Sequence, residues 1–143
     1  MGGYAWLRSL TTLPLILKGI LDPDDAEQAI RTGADAIVVS NHGSRNLDTL
    51  PATIDALPAI SERVAGRIPI ILDGGVRRGT DVLKAIALGA SAVMIGRPYV
   101  YALATDGADG VAYCVHLLRR DFEAAMALTG RARIDEIDRS AIW

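Results

Sequence analysis

The sequence is short of cysteine, histidine and aromatic rings: 143 residues hold one Cys, two His and one Phe, with aromatics at 5%. Each scarcity closes off a class of protein. Cys114 alone cannot form an intrachain disulfide, and no second Cys or suitably spaced His accompanies it, so neither a disulfide scaffold nor a metal centre is expected. Charge of neither sign accumulates: the formal net charge is −2, which offers no field to draw nucleic acid or an anionic membrane. No stretch approaches the roughly 18 apolar residues of a membrane span, and Met1-Gly2-Gly3-Tyr4-Ala5-Trp6-Leu7-Arg8 lacks the basic start and apolar core of a signal peptide. A soluble, cytoplasmic protein is the simplest expectation.

What is abundant is aliphatic. Hydrophobic residues make up 50% of the chain, mostly Ala, Ile, Leu and Val, with many Gly between them, as expected where parallel strands are covered on both faces by helices. The length suits one domain.

Within that composition the sequence repeats itself. Leu13-Pro14-Leu15-Ile16-Leu17-Lys18-Gly19 has the pattern of Ile68-Pro69-Ile70-Ile71-Leu72-Asp73-Gly74, an apolar run ending in a charge. Gly33-Ala34-Asp35-Ala36-Ile37-Val38-Val39-Ser40 likewise matches Gly89-Ala90-Ser91-Ala92-Val93-Met94-Ile95-Gly96. Helical signals lie between the runs. Asp22 is the expected N-cap with Pro23 first in the helix and Gly33 at its end. Thr80 is the expected cap of a second helix that buries Val82, Leu83, Ile86 and Ala87 and stops at Gly89. A further helix is expected over Ile54 to Val64, bent or begun at Pro58, and a closing helix over Asp109 to Leu128. In the latter, His116 is given a structural or surface role and Cys114 is read as packed.

Strands alternating with helices in one direction predict an α/β fold with a parallel sheet. A full (β/α)8 barrel takes about 250 residues, so the four units here predict half of one, residues 1–143 forming a single partial barrel. In such a barrel the carboxyl ends of the strands share one face. That face would gather Lys18, Ser40 with His42 and Arg45, Asp73, and Gly96 with Arg97 round one cavity. Asp73-Gly74-Gly75-Val76-Arg77-Arg78-Gly79 precedes a helix and combines glycines, free amides and positive charge, which suits a phosphate. Gly96-Arg97-Pro98 provides a second such loop.

These stretches in their order, Leu15-Ile16-Leu17-Lys18-Gly19-Ile20, Val39-Ser40-Asn41-His42-Gly43 with Arg45 and Leu47-Asp48, Asp73 through Val82, and Ile95-Gly96-Arg97-Pro98, resemble the C-terminal half of the FMN-dependent α-hydroxy-acid oxidase and dehydrogenase family, which includes glycolate and lactate oxidases. The resemblance runs over nearly the whole chain and implies FMN as cofactor and a small 2-hydroxy acid as substrate. It implies that Lys18 lies beside the flavin N1 and O2 edge, that Ser40 bonds the flavin and that Asp73 contacts the ribityl chain. Gly74, Gly75, Val76, Arg77, Gly96 and Arg97 would hold the phosphate. His42 would be the base and Arg45 the clamp on the substrate carboxylate, with Arg78 turned to solvent or a subunit neighbour.

The implied reaction oxidises an (S)-2-hydroxy acid to a 2-keto acid. Ser44 and Asn46 depart from the family pattern, which has a second glycine after His-Gly and a glutamine after the arginine. The family's N-terminal half, which supplies substrate-binding tyrosines and an aspartate that orients the histidine, has no counterpart in these residues. Self-association or pairing with that half is therefore expected. Two other readings stay open. One is another phosphate-binding barrel oxidoreductase such as the inosinate dehydrogenases, which share an Asp-Gly-Gly loop but use a catalytic cysteine; the other is a half-barrel without catalysis.

Overall fold

The four apolar runs become short parallel strands, β1 (Ile16–Ile20), β2 (Ala36–Val39), β3 (Ile70–Asp73) and β4 (Ala92–Met94), hydrogen-bonded in the order β1-β2-β3-β4. Ile37 of β2 faces Ile70 of β3, and Ile71 of β3 faces Ala92 of β4. This computed structural model describes residues 2–142. Helices α1 (Gly2–Leu10), α2 (Pro23–Arg31), α3 (Thr53–Val64), α4 (Gly79–Ala87) and α5 (Arg97–Leu128) alternate with the strands, so the expected half-barrel arrangement is what the chain adopts.

Position in the sheet sets burial. All four residues of β2 are buried because neighbours flank it on both sides. At the edges Ile16 is 49% and Met94 is 42% exposed, since each lacks a strand beyond it. Behind the sheet, Leu57, Ile60 and Val64 of α3 are fully buried against Ile37, Val39 and Leu72. Each such side chain contributes about 1.5–3 kcal/mol by leaving water.

The helix signals hold at α2, where the Asp22 carboxylate accepts from the Asp24 N–H at 2.7 Å and Gly33 turns the chain with φ of 84°. Three expectations are corrected. Thr80 does not cap α4, which begins at Gly79. The N-cap position is Arg78, and Asp81 at N3 reaches back so that its carboxylate accepts from the Arg77 and Arg78 amides, both at 2.9 Å. Pro58 does not start α3, which begins five residues earlier at Thr53 and stays helical through Pro58; the three buried aliphatic side chains hold it despite the lost donor. The closing helix starts at Arg97 and breaks at Asp106 and Gly107, the latter with φ 57° and ψ −139°, so the expected Asp109–Leu128 helix is only its second limb. Among the described residues no helix is long and apolar enough to cross a membrane.

Helix α1 was not anticipated. It is docked by tertiary bonds: the Tyr4 hydroxyl donates to the Gly33 carbonyl at 2.7 Å, and Arg8 pairs with Asp35 and donates to the Leu13 carbonyl at 3.1 Å.

Candidate active site

Three strand ends meet through one hydroxyl. Ser40, which follows β2 and is 1% exposed, accepts from the Lys18 ammonium of β1 at 2.8 Å and donates to Asp73 Oδ2 of β3 at 2.7 Å. It also accepts the His42 amide at 3.2 Å, and Lys18 is ion-paired to Asp73 directly. Burial of Asp73 works against its charge. Hydrogen bonds from Lys18 and Ser40, with the positive charge of Lys18 and His42, outweigh that and hold its carboxyl below the usual carboxylate range.

Beyond Ser40 the backbone turns left-handed at three residues running, His42 (φ 56°), Gly43 (φ 69°) and Ser44 (φ 60°). Two of these carry side chains, a conformation worth about 1–3 kcal/mol of strain each. Asn41, 8% exposed, holds the turn. Its Oδ1 accepts from the Gly43 amide at 3.0 Å, and its Nδ2 donates to Ser44 Oγ at 3.3 Å and to the Pro51 carbonyl at 3.2 Å. The sequence reading gave Asn41 no role, although an Asx residue before a left-handed turn is the signal that could have found it.

The β3–α4 turn is built for close backbone approach. Gly74 (φ 101°) sits against Thr53 and Asn41, so an added Cβ would lie 3.3 Å from Thr53 Oγ1, whereas Gly75 (φ 80°) and Gly96 would meet nothing within 4 Å. Thr53 donates to the Gly74 carbonyl at 3.2 Å; this buried support was also missed.

One cleft of about 640 Å³ at the carboxyl ends of the strands is lined by Lys18, His42, Arg45, Asp73, Gly74, Gly75, Val76, Arg77, Gly96 and Arg97. Every expected site residue but Ser40 is in its wall; Ser40 lies beneath, its hydroxyl taken up by Lys18 and Asp73. The Val76 side chain is 4% exposed and packs in the core, which leaves its backbone to any ligand. Arg78 stays outside the cleft, its side chain 71% exposed and paired with Asp121 at 3.0 Å. Cys114 and His116 lie on α5 outside the cleft lining, His116 exposed.

Charge in the cleft is unbalanced. Arg8, Arg31, Arg63, Arg67, Arg78, Arg119, Arg131 and Arg133 each pair with a carboxylate. Arg45, Arg77 and Arg97 have no such partner among the described residues. Three guanidiniums free to bond, beside open glycine amides and the start of α5, suit a ligand with more than one anionic group.

The sequence model of a family described as FMN-dependent dehydrogenase matches residues 3–143. A 2-hydroxyacid oxidase of Dictyostelium discoideum is 58% identical over 96% of this chain and 36% of its own length. A peroxisomal (S)-2-hydroxyacid oxidase of Arabidopsis thaliana is 56% identical over 96% of this chain and 38% of its own. A solved structure of mandelate oxidase with benzoyl-formic acid superposes with a TM-score of 0.93 at 46% identity, covering 96% of this chain and 41% of that one. The chain thus spans well under half the length of the relatives it matches.

Proposed function

The chain belongs to the FMN-dependent dehydrogenase family, and from that premise we propose that it is the C-terminal, FMN-holding half of a barrel that oxidises an (S)-2-hydroxy acid to a 2-keto acid. The observation that carries this reading is the convergence of Lys18, His42, Arg45, Asp73, Arg77 and Arg97 on one cleft.

The residues present fit FMN. Gly75 and Gly96 leave open space that a side chain would fill, so backbone amides there and the Arg77 and Arg97 guanidiniums would hold the phosphate. Asp73 would take the ribityl hydroxyls. Lys18, steered by Ser40 and Asp73, would face the flavin ring with its positive charge. FMN, when bound, supplies the acceptor for the two electrons that leave the substrate.

The remaining work falls to this chain's own side chains. Arg45 offers two parallel N–H groups to the substrate carboxylate, which fixes the carbon bearing the hydroxyl relative to His42. The His42 imidazole would take a proton from the substrate. The inosinate dehydrogenase reading loses its support, since Cys114 lies away from the cleft.

The free edges of β1 and β4 support pairing with the rest of a barrel rather than action alone. The test is a titration of the chain, alone and joined to the N-terminal half of a relative, with FMN and with riboflavin. Binding of FMN in preference to riboflavin, with bleaching by a 2-hydroxy acid that His42→Ala abolishes, is the expected result. Failure of both forms to take up FMN, or bleaching that survives His42→Ala, would overturn it.

A further inference from the structure

Gly19 lies where β1 slips against β2. Lys18 is opposite Val38, Ile20 is opposite Val39, and Gly19 between them has no partner. A bulge is uncommon in a parallel pair and typically re-aims side chains near a site. With φ of 100°, Gly19 adopts a backbone conformation that side chains rarely take. A Cβ built there would lie 2.8 Å from His42 Nε2, 3.6 Å from Cε1 and 3.8 Å from Cδ2, its three nearest neighbours all belonging to the imidazole. The ring of His42 therefore rests on bare backbone of another strand.

Two constraints thus act on the one imidazole. Ser40 and Asn41 hold the left-handed turn that carries His42, and this fixes where its Cα stands. The remaining freedom is rotation of the side chain, and the surface on which the ring settles is the bulge at Gly19. We propose that Gly19 is a positioning residue for the base: its missing side chain lets the imidazole, with Nε2 its nearest atom, lie against β1 in the wall of the cleft. The inference rests on the reading of His42 as the base. A methyl group at Gly19 would displace the ring, since the end of a side chain yields more readily than the strand beneath it.

A purely conformational need for glycine at φ 100° makes a different forecast. Gly33 has φ of 84° and an added Cβ there meets nothing within 4 Å, so Gly33→Ala carries comparable backbone strain without a collision. The chain has two histidines, and His116, exposed on α5, serves as an internal reference in imidazole NMR spectra of the 143-residue chain. Gly19→Ala is expected to move the His42 ring resonances and leave those of His116 in place, and Gly33→Ala to move neither. Unmoved His42 resonances in Gly19→Ala, or equal movement in both variants, would overturn the proposal.

Should Gly19→Ala fold poorly, denaturation midpoints decide. The loss caused by Gly19→Ala is expected to shrink in a His42→Ala background, because the colliding ring is gone. Equal losses in the two backgrounds would overturn the proposal. These readouts need no flavin. Failure of the chain to take up FMN both alone and joined to the N-terminal half would remove the functional reading while leaving the Gly19–His42 contact tested on its own terms.

Discussion

The Ser40 hydroxyl donates to Asp73 Oδ2 at 2.7 Å, joining the ends of neighbouring strands β2 and β3. The same oxygen accepts from Lys18 and from the His42 amide, so one buried hydroxyl ties the ammonium, the carboxylate and the turn bearing the imidazole. Ser40→Ala removes all three bonds and leaves the partly buried Asp73 carboxylate one donor short. The expected cost is about 1–3 kcal/mol, read as a lower urea midpoint at unchanged m-value. A midpoint equal to the parent's would mean that solvent replaces the hydroxyl without loss.

Asp73 makes stability depend on pH with a definite sign. Its carboxyl is held below the usual range in the fold, so the stability it contributes is complete above the unfolded value, about 3.9, and is lost as pH falls through the lower folded value. Acidification below about pH 4 should weaken the fold, and Asp73→Asn should flatten part of that decline. Other lowered carboxyls, such as Glu27 paired to Arg67 and Asp121 paired to Arg78, leave a residual slope in the variant. Urea midpoints measured for both proteins across that range provide the check; parallel profiles would contradict it.

Gly79 is a point of backbone contact between α4 and α5. An added Cβ would lie 2.0 Å from the Phe122 backbone nitrogen and 2.1 Å from the Asp121 carbonyl carbon, and backbone cannot swing aside as a side chain can. The Gly79 amide also donates to Asp121 at 2.7 Å. Gly79→Ala should therefore destabilise the chain by about 3 kcal/mol or more through overpacking, measured by thermal or urea unfolding, while Gly75→Ala, with open space at that position, should be limited to its backbone strain. Equal effects would remove the packing argument.

Much of this was legible because parallel strands write themselves plainly. β2, buried on both faces, and β3, buried on one and partly covered on the other, read as apolar runs, and the topology obliges their carboxyl ends to share a face, which is why Lys18, His42, Asp73 and Arg97 could be grouped from residues far apart in sequence. Less legible was whatever depends on register or docking. The bulge at Gly19 exists only in relation to β2. The hydroxyl of Ser40 was expected to reach a flavin, but a sequence does not say that Lys18 and Asp73 compete for it. Asn41 and Thr53 support the loops through bonds to Pro51 and Gly74, and α1 is held by Gly33 and Asp35. Local propensity carries none of these non-local partners.

Arg97 offers the sharpest separation between phosphate binding and flavin binding at large. It stands at the first position of α5, after Gly96, with no acidic partner among the described residues, and its guanidinium reaches to 3.7 Å from where a Cβ on Gly43 would sit. From there it can serve the phosphate together with the amides at the helix start, and Arg77 approaches from the β3–α4 turn. Losing one charge-assisted bond of this kind should weaken FMN binding about tenfold to a hundredfold in Arg97→Met. Riboflavin, which lacks the phosphate, should bind the parent and the variant alike. Fluorescence titrations with the two flavins measure both quantities, and a parallel loss for riboflavin would reassign Arg97 from the phosphate to the shape of the cleft.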